Sequence, residues 1–232
     1  MTLPDLSAEI GGIFLGRVQD RWDGKPPSAI QKDQTLGRQA ITLTGFSDDA
    51  QADLTVHGGE DKAIHHYASD HYAAWQNEGQ MAAGTKPAAF GENIATTELT
   101  EENLCIGDIL KLGTATVQIS QGRQPCWKLG LYTGNEKMPY LFQKTGRTGW
   151  YYRVLETGTA EAGDRITLIE RRNPDWSVLH VTRARLTRRV SPEEAQALAE
   201  LTDLAIGWRQ AFARMAGGDT EEDTSARLAG QQ

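Results

Sequence analysis

Short apolar runs separated by glycine-containing turns occupy the chain from about residue 10 to residue 170. This pattern is typical of an all-β barrel or sandwich rather than of a helical bundle. Apolar Ala115, Val117 and Ile119 alternate with polar residues, which predicts a strand with one buried face. One helix is predicted at residues 69–78. The strands are predicted at residues 10–18, 40–46, 108–112, 115–120 and 165–170.

The pattern changes in the last quarter of the chain, where Ala, Leu, Glu and Arg replace glycine and the β-branched residues. Ser191-Pro192-Glu193-Glu194 combines a serine cap, a proline at the first helical position and a carboxylate three residues after the cap, which predicts a helix start. Asp203 is expected to divide the following apolar run into two helices. We therefore predict a β-rich domain at residues 1–173 and a small helical appendage at residues 174–232.

Length and charge narrow the classes of protein. The chain has 232 residues, 39% of them hydrophobic, which is enough for a sizeable core. A formal net charge of -7 and a sequence pI near 5.3 argue against nucleic acid or a membrane surface as partner, so an anionic ligand must meet a local basic cluster. No apolar run is long enough for a membrane span, and residues 1–16 lack a signal-peptide pattern. We therefore expect a cytoplasmic protein.

The first candidate for chemistry is a segment rich in glycine and histidine. Gly58-Gly59 can expose consecutive backbone N–H groups, while His57 and Lys62 add cationic or hydrogen-bonding capacity on either side. This combination suits an anion, and the alternative is a glycine turn between two strands. A zinc site that also uses His65 and His66 is less favoured, because adjacent histidines on a strand point to opposite faces.

The second candidate is Cys126, which follows the clearest predicted strand. Arg123 lies three residues before it and Lys128 two residues after it. Nearby positive charge favours the thiolate, the form that ligates metals or attacks electrophiles. A lone cysteine is more often a small buried hydrophobe, and we assign that role to Cys105, which has apolar neighbours. Asn93 belongs to a third short polar insert that can orient a heterocycle through paired hydrogen bonds.

Taken in order, five segments resemble the MOSC domain, a family named from the C-terminal portion of molybdenum-cofactor sulfurase. These segments are residues 24–30, 57–67, 90–93, 120–129 and 149–154. The likeness is greatest to the stand-alone bacterial branch that reduces N-hydroxylated purines such as 6-hydroxylaminopurine. It spans about residues 10–170, and the helical tail resembles the three-helix segment of that branch. Gly122 stands where the family pattern suggests proline, which predicts a looser loop before Cys126.

The resemblance implies a mainly β (α+β) fold, a closed barrel with a C-terminal three-helix appendage, and a pocket for the molybdenum cofactor (molybdopterin). Cys126 would be the protein's metal ligand. Tyr67 or Tyr152 would stack on a purine or supply a proton. The residues expected to hold the cofactor are Lys25, His57, Gly58, Gly59, Lys62, Asn93, Arg123, Lys128 and Arg153. Pyridoxal phosphate, which occurs with fused MOSC proteins, is discounted because no partner domain is present.

Three functions stay open at this level. The first is a reductase of N-hydroxylated small molecules that receives electrons from a separate reductase protein. The second is a non-catalytic carrier of the cofactor, or of a persulfide sulfur, on Cys126. The third is a β-barrel interaction domain without a cofactor. An assay for reduction of a hydroxylated purine distinguishes the reductase from the carrier. Molybdenum analysis distinguishes the interaction domain from both. A homodimer is possible.

Overall fold

The computed structural model describes residues 3–52, 58–219 and 221–230. The strands are β1 Ser7–Glu9, β2 Gly12–Gly16, β3 Lys32–Gln34, β4 Gln39–Thr42, β5 Gly45–Phe46, β6 Ile64–Ala68, β7 Ile94–Thr96, β8 Ile109–Leu112, β9 Ala115–Gly122, β10 Trp150–Glu156, β11 Gly158–Ala160 and β12 Arg165–Glu170. The α-helices are α1 Asp70–Asn77, α2 Lys128–Thr133, α3 Met138–Thr145, α4 Val178–Thr187, α5 Pro192–Glu200, α6 Ile206–Ala216 and α7 Ser225–Ala229. A 3-10 turn occupies Glu60–Lys62. The fold is therefore mixed α+β.

Nine strands form one large sheet in the order β1-β12-β8-β9-β10-β6-β7-β2-β3. Neighbouring strands are antiparallel except β6 and β7, which run parallel. The short strands β11, β4 and β5 form a second sheet. Strands β9, β10 and β6 are consecutive neighbours in the middle of the large sheet, which places residues distant in sequence side by side.

The large sheet curls into an open half-barrel, so the expected closed barrel is wrong. In the described chain no hydrogen-bonded ladder joins the end strands β1 and β3. Each of these strands has only three residues, which supply few ladder hydrogen bonds. The N-terminal stretch pairs through β1 with β12, and after Ile10 and Gly11 it pairs through β2 with β7. Strand β3 is thereby left as an end of the sheet.

The described part of the C-terminal segment contains four α-helices, α4 to α7, rather than the expected three. The predicted start at Ser191 is confirmed, since its Oγ accepts a hydrogen bond from the backbone N–H of Glu194 at 3.1 Å. The run also divides around Asp203, between α5 and α6. None of the helices described here combines the length and the apolar character needed to cross a membrane.

The C-terminal helices share one hydrophobic core with the sheet. Val181 of α4 and Phe212 of α6 belong to the same buried cluster as Val117 of β9 and Trp150 of β10. Strand β9 is buried along its whole length, whereas its alternating pattern predicts one buried face. Helix α4 and the loop between α5 and α6 cover the second face. The domain boundary at residue 173 stays a prediction.

Candidate functional site

A pocket with about 600 Å³ of space between its lining atoms, mouth included, opens beside β6 and β10. It is assembled from loops and helix ends that are far apart in sequence and from three strand residues, Lys32, His65 and Tyr151. The lining residues are Ser28, Ala29, Ile30, Lys32, Asp49, Ala50, Gln51, Ala52, Lys62, His65, Gly91, Asn93, Arg123, Cys126, Lys128 and Tyr151.

The pocket wall is rich in cations. Lys32, Lys62, Arg123 and Lys128 line it, whereas Asp49 is the acidic residue among the described lining residues. The whole chain carries a formal charge of -7, so this local excess of positive charge is opposite in sign to the molecule. A concave site with several cations attracts an anionic ligand and can satisfy it with charge-assisted hydrogen bonds.

Lys32 and Asp49 form a buried ion pair at one side of the pocket. The Lys32 Nζ lies 2.5 Å from Asp49 Oδ1, and both side chains are about 7% exposed. Burial lowers the pKa of Lys32, and the carboxylate of Asp49 opposes that effect. Asp49 also accepts a hydrogen bond from Asn93 Nδ2 at 2.8 Å and one from the Gly16 backbone N–H at 2.7 Å. The Lys32–Asp49 pair therefore fixes this side of the pocket wall to Gly16 and Asn93.

Asn93 lines the pocket as predicted, but protein groups already engage both ends of its amide. The Nδ2 atom donates to Phe14 O at 3.2 Å as well as to Asp49, and Oδ1 accepts from the His65 backbone N–H at 3.1 Å. This side chain therefore ties β2 to β6 and to the loop that carries Asp49. Its predicted contact with a pterin stays a prediction.

Arg123 and Lys128 are held at the wall by backbone carbonyls. The Arg123 guanidinium donates to Phe90 O at 2.5 Å, and its backbone N–H donates to Gly149 O at 3.1 Å. The Lys128 Nζ donates to Pro27 O at 2.8 Å. Neutral carbonyls orient these cations without neutralising them, so both charges remain available to a ligand in the pocket.

Cys126 lies in the same wall, half-buried, two residues before the start of α2. Cys105 is buried elsewhere, with its thiol 3.6 Å from Pro174 O. Burial raises the pKa of the Cys105 thiol to about 11, and Asp108 adds to the effect. Cys105 therefore stays a neutral thiol in the core, as predicted, while Cys126 faces the cationic pocket.

The sequence reasoning assigned no cofactor role to several pocket residues, and His65 and Tyr151 are two of them. The His65 Nε2 lies 3.4 Å from Thr148 O, whereas its Nδ1 is buried without a hydrogen-bond partner among the described residues. Burial and the charge of Arg123 hold the pKa of His65 well below its usual value, so the ring is neutral. The Tyr151 ring lies 5.1 Å from the His65 ring.

The hydroxyl of Tyr151 has no hydrogen bond to any residue that the structure describes. Burial raises the pKa of Tyr151, so the phenol is protonated. Strand alternation is the signal that could have found this residue. The apolar set Trp150, Tyr152 and Val154 predicts one face of β10 in the core, which leaves Tyr151 on the opposite face.

The structure places Tyr67 and Tyr152 in the core, away from the pocket lining. The Tyr152 hydroxyl lies 2.9 Å from His66 Nδ1. The Tyr67 hydroxyl accepts from Trp75 Nε1 at 2.8 Å and donates to Arg147 O at 3.3 Å. Both side chains are fully buried, so their hydroxyls serve the packing of the sheet. Their roles in catalysis stay predictions that this arrangement does not favour.

Two predicted phosphate-binding cations also lie outside the pocket lining. Lys25 is exposed, with its Nζ 5.5 Å from the centroid of the Trp127 ring. Arg153 forms an ion pair with Asp61 at 2.6 Å and donates to Gln118 Oε1 at 3.0 Å. The predicted basic cluster is therefore brought together in part: Lys62, Arg123 and Lys128 line the pocket, and Lys25 and Arg153 do not.

The glycine-histidine segment is described only from residue 58 onward, so His57 lies outside the described residues. Gly59 has a φ of 96°, a conformation that favours glycine, and it leads into the 3-10 turn that ends at Lys62. Gly58 and Gly59 do not line the pocket, whereas Lys62 does. The turn therefore serves to bring Lys62 to the wall.

Gly122, directly before this loop, is a packing site rather than a source of looseness. A Cβ at this position would lie 2.0 Å from Thr182 Oγ1 of α4. Only glycine lets the helix approach strand β9 this closely. The departure from the family pattern thus coincides with a tight contact beneath the loop that carries Arg123 and Cys126.

The metal-binding side chains among the described residues suit a metal ion that a cofactor already holds. No group of three His, Cys, Asp or Glu side chains that could hold a metal ion occurs in the part of the chain described. His65 faces the pocket, whereas His66 bonds to Thr96 and Tyr152 in the core, as expected for adjacent strand residues. One thiol, several oriented cations and the unpartnered His65 Nδ1 fit an anionic organic cofactor that brings its own metal.

The chain is similar to known proteins in sequence and in structure. The family model described as MOSC domain matches residues 53–167. The chain is 34% identical to Protein YiiM of Escherichia coli (strain K12) over 220 residues, 94% of this chain and 97% of that protein. It is 41% identical over 200 residues to a protein named Reductase from Gibberella moniliformis, 84% of this chain and 34% of that protein. The crystal structure of YiiM from Geobacillus stearothermophilus has a TM-score of 0.76 at 30% identity, covering 90% of this chain and 99% of that one.

Proposed function

Because the chain belongs to the MOSC domain family, we propose that it is a molybdenum-cofactor-dependent reductase of N-hydroxylated compounds, with Cys126 as the metal ligand. The observation that carries the proposal is the position of the Cys126 thiol in the wall of a cation-lined pocket in an acidic chain. The relative named Reductase supports the reaction class. A small hydroxylamino compound such as 6-hydroxylaminopurine is the proposed substrate.

The cofactor, when bound, supplies two-electron oxygen-atom transfer chemistry at molybdenum. The protein's part is to bind and orient it. Arg123 and Lys128 would contact its phosphate, since both line the pocket and are fixed by carbonyls. Lys62 lines the same pocket and adds a third cation. Each charge-assisted hydrogen bond of this kind contributes about 1.5 to 3 kcal/mol.

The overall reaction is R–NH–OH + 2 e⁻ + 2 H⁺ → R–NH₂ + H₂O. The N–O bond breaks, the nitrogen keeps its bond to R, and the oxygen leaves as water. Electrons would come from a separate reductase protein. The Tyr151 hydroxyl would donate a hydrogen bond or a proton to the departing oxygen, because its raised pKa keeps it protonated. The neutral His65 ring would orient the substrate through its unpartnered Nδ1.

A pair of cysteine variants tests the proposal. Cys126→Ser should abolish molybdenum retention and hydroxylaminopurine reduction, because an alcohol is a poor replacement for a soft thiolate ligand. Cys105→Ser, the matched control, should keep both, since that thiol is buried outside the pocket. Metal analysis of protein made in a cofactor-competent host and reduction with an artificial electron donor are the measurements. An active Cys126→Ser protein would refute the proposal.

The same experiment separates the alternative of a non-catalytic carrier. Protein that retains molybdenum through Cys126 but does not reduce hydroxylated substrates with an artificial donor would support carriage of the cofactor. A persulfide on Cys126 would instead add the mass of one sulfur atom to the intact protein. That mass would disappear on treatment with a thiol reductant and would be absent from Cys126→Ser.

A further inference from the structure

Three consecutive backbone N–H groups converge on a buried carboxylate and a phenol beside the pocket. The Ala88 N–H donates to Glu92 Oε1 at 2.7 Å, and the Phe90 N–H donates to Oε2 of the same carboxylate at 3.1 Å. The Ala89 N–H between them donates to the Tyr72 hydroxyl at 3.1 Å. That hydroxyl in turn donates to Glu92 Oε1. Glu92 and Tyr72 together therefore satisfy the N–H groups of this loop.

The shape of the loop at residues 88–91, the 88–91 loop, depends on Glu92. The Glu92 side chain is fully buried, and both of its oxygens accept hydrogen bonds, which suits an ionised carboxylate. Burial raises the pKa of Glu92, while the bonds from Tyr72 and from backbone amides oppose that change. Ala88 has a φ of 80°, a left-handed conformation that is unfavourable for alanine. The bond to Glu92 helps to hold it there.

The 88–91 loop also orients a cation of the pocket wall. While the Phe90 N–H is bonded to Glu92, the carbonyl of Phe90 accepts a hydrogen bond from Arg123 Nη1 at 2.5 Å. Among the described residues, this carbonyl is the only hydrogen-bond partner of the Arg123 side chain. Gly91, the next residue of the loop, lines the pocket together with Arg123. Phe90 therefore connects the position of the buried acid to that of the guanidinium.

We propose that Glu92 is a positioning residue for Arg123, which acts through the Phe90 carbonyl to hold the guanidinium toward an anionic group in the pocket. The proposal deepens the proposed function, on which it rests only in giving Arg123 an anionic ligand. It gives a buried acid the role of strengthening the binding of an anion.

Charge and geometry predict opposite effects for the removal of this acid. Burial lowers the pKa of Lys32 in the pocket wall, and the charges of Asp49 and Glu92 oppose that effect, so the charge of Glu92 acts within the pocket. A negative charge there repels an anionic ligand, and neutralising Glu92 would by charge alone strengthen anion binding. Loss of its hydrogen bonds would instead release the 88–91 loop and the Arg123 guanidinium, which weakens binding.

The test measures the affinity of full-length apo-protein for inorganic phosphate, by isothermal titration calorimetry at low ionic strength. Inorganic phosphate stands for the phosphate group of the proposed cofactor. Arg123→Gln should weaken binding by about tenfold or more, because a charge-assisted hydrogen bond is lost. Glu92→Gln should weaken it by about two- to tenfold, the value of one ordinary hydrogen bond. Tyr72→Phe, which leaves the charge of Glu92 in place, should have a smaller effect in the same direction.

Asp108→Asn is the matched control. Asp108 is a fully buried carboxylate outside the pocket lining, and it accepts from the Cys105 N–H at 2.9 Å and from Arg171 Nε at 2.9 Å. Urea unfolding should show that Asp108→Asn and Glu92→Gln both lower stability, whereas phosphate affinity should fall only in Glu92→Gln. Ala88→Gly in the Glu92→Gln background should recover part of the affinity, because glycine adopts the left-handed conformation without support from Glu92.

Unchanged or tighter phosphate binding by folded Glu92→Gln would overturn the proposal, as would an equal loss in Asp108→Asn or an Ala88→Gly change that recovers nothing. If Glu92→Gln does not fold by circular dichroism, Tyr72→Phe decides, and an affinity equal to that of the parent then counts against the proposal. A parent that binds no phosphate, or an affinity that Arg123→Gln leaves unchanged, would also refute it, because Arg123 would then not be a cation that meets an anion.

Molybdenum content of protein made in a cofactor-competent host distinguishes this proposal from the proposed function. Weaker phosphate binding in Glu92→Gln with no molybdenum in any protein, parent included, would refute the cofactor role and leave the role of Glu92 standing. Molybdenum retention through Cys126 with an unchanged phosphate affinity in Glu92→Gln would do the reverse. If both proposals hold, Glu92→Gln should retain less molybdenum than Asp108→Asn under the same purification.

Discussion

At the scale of single residues, Gly122 shows how one missing side chain positions the site. Its hypothetical Cβ would lie 2.0 Å from Oγ1 of Thr182 and 3.1 Å from its Cβ. Thr182 is fully buried in α4, so it has no open space into which it can rotate. The contact presses α4 against the end of β9, where the chain turns into the loop that carries Arg123 and Cys126.

We predict that Gly122→Ala lowers the free energy of unfolding by about 1 to 3 kcal/mol, the usual cost of overpacking a core. Urea unfolding measures the change. Gly207→Ala is the matched control, because no atom lies within 4 Å of a Cβ in its position on α6. It should leave stability unchanged or raise it by up to about 1 kcal/mol.

A second change checks the cause of that loss. Thr182→Ala removes Oγ1, the atom nearest to a Cβ at position 122, together with Cγ2. The double variant with Gly122→Ala should therefore be more stable than the sum of the two single changes predicts. Strict additivity would show that the alanine acts through the backbone of β9 instead of through the helix contact.

At the scale of elements, β10 presents two adjacent tyrosines to two environments. Tyr152 points into the core and contacts His66, while Tyr151 lines the pocket beside His65. A bulge between the two residues shifts the pairing with β9, where Tyr151 is opposite Gln121 and Tyr152 opposite Ile119. The same hydroxyl chemistry therefore serves packing on one face and, in the proposed function, proton donation on the other.

We predict opposite effects for the two phenylalanine variants. Tyr151→Phe should reduce hydroxylaminopurine turnover by about tenfold or more, with little change in stability, because it removes a proton donor from the pocket. Tyr152→Phe should lower the free energy of unfolding by about 1 kcal/mol, since His66 loses a buried hydrogen bond, and should leave turnover close to that of the parent. Steady-state kinetics and urea unfolding of both proteins are the measurements.

The reverse pattern, with turnover lost in Tyr152→Phe and kept in Tyr151→Phe, would restore the role predicted for Tyr152 from the family resemblance. Tyr67→Phe serves as a further comparison. Its hydroxyl accepts from Trp75 and donates to Arg147 O in the core, so it should behave like Tyr152→Phe in both measurements.

Local elements were largely predictable because their signals lie within a few residues. Strand β12 has the predicted bounds, α1 lies within residues 69–78, and α5 begins after the predicted cap. These features follow from periodicity and capping, which depend on neighbouring side chains. The open edge of the sheet was not predictable in this way, because it depends on which distant strands pair.

The site was predictable in part for the same reason. The order of the motifs predicted Cys126, Arg123 and Lys128 as site residues, and all three line one pocket. The position of Lys32 in the pocket wall depends on its ion pair with Asp49, and no local sequence pattern indicates that contact. The hydrogen bond from Tyr72 to Glu92 likewise depends on how α1 lies against the 88–91 loop.

At the scale of the whole molecule, the core encloses ionisable groups whose charged forms it disfavours. His66 is fully buried, with Nδ1 2.9 Å from the Tyr152 hydroxyl and Nε2 2.9 Å from Thr96 Oγ1. Burial lowers the pKa of His66 to about 3. His65 is shifted in the same direction, while burial raises the pKa of Glu92. The stability of the fold must therefore depend on pH.

The sign for His66 follows from its two states. The unfolded chain has the ordinary histidine pKa of 6.5, so it binds the proton first as the pH falls. The contribution of His66 to stability is fully present above that value and is lost progressively down to about pH 3. Glu92 has the opposite effect on stability. Above its ordinary pKa of 4.5 it lowers stability as the pH rises, because the folded state binds its proton more tightly than the unfolded state does.

We predict that His66→Gln reduces this acid sensitivity. Between about pH 7.5 and about pH 5 the parent should lose about 2 kcal/mol more unfolding free energy than the variant, since about 1.5 pH units of that interval lie below the unfolded pKa. The contribution of Glu92 is common to both proteins and cancels in the comparison. Urea unfolding at several pH values gives the two slopes. The exposed His180 provides the control, and His180→Gln should follow the parent. Parallel curves for parent and His66→Gln would show that acid destabilises the protein through other groups.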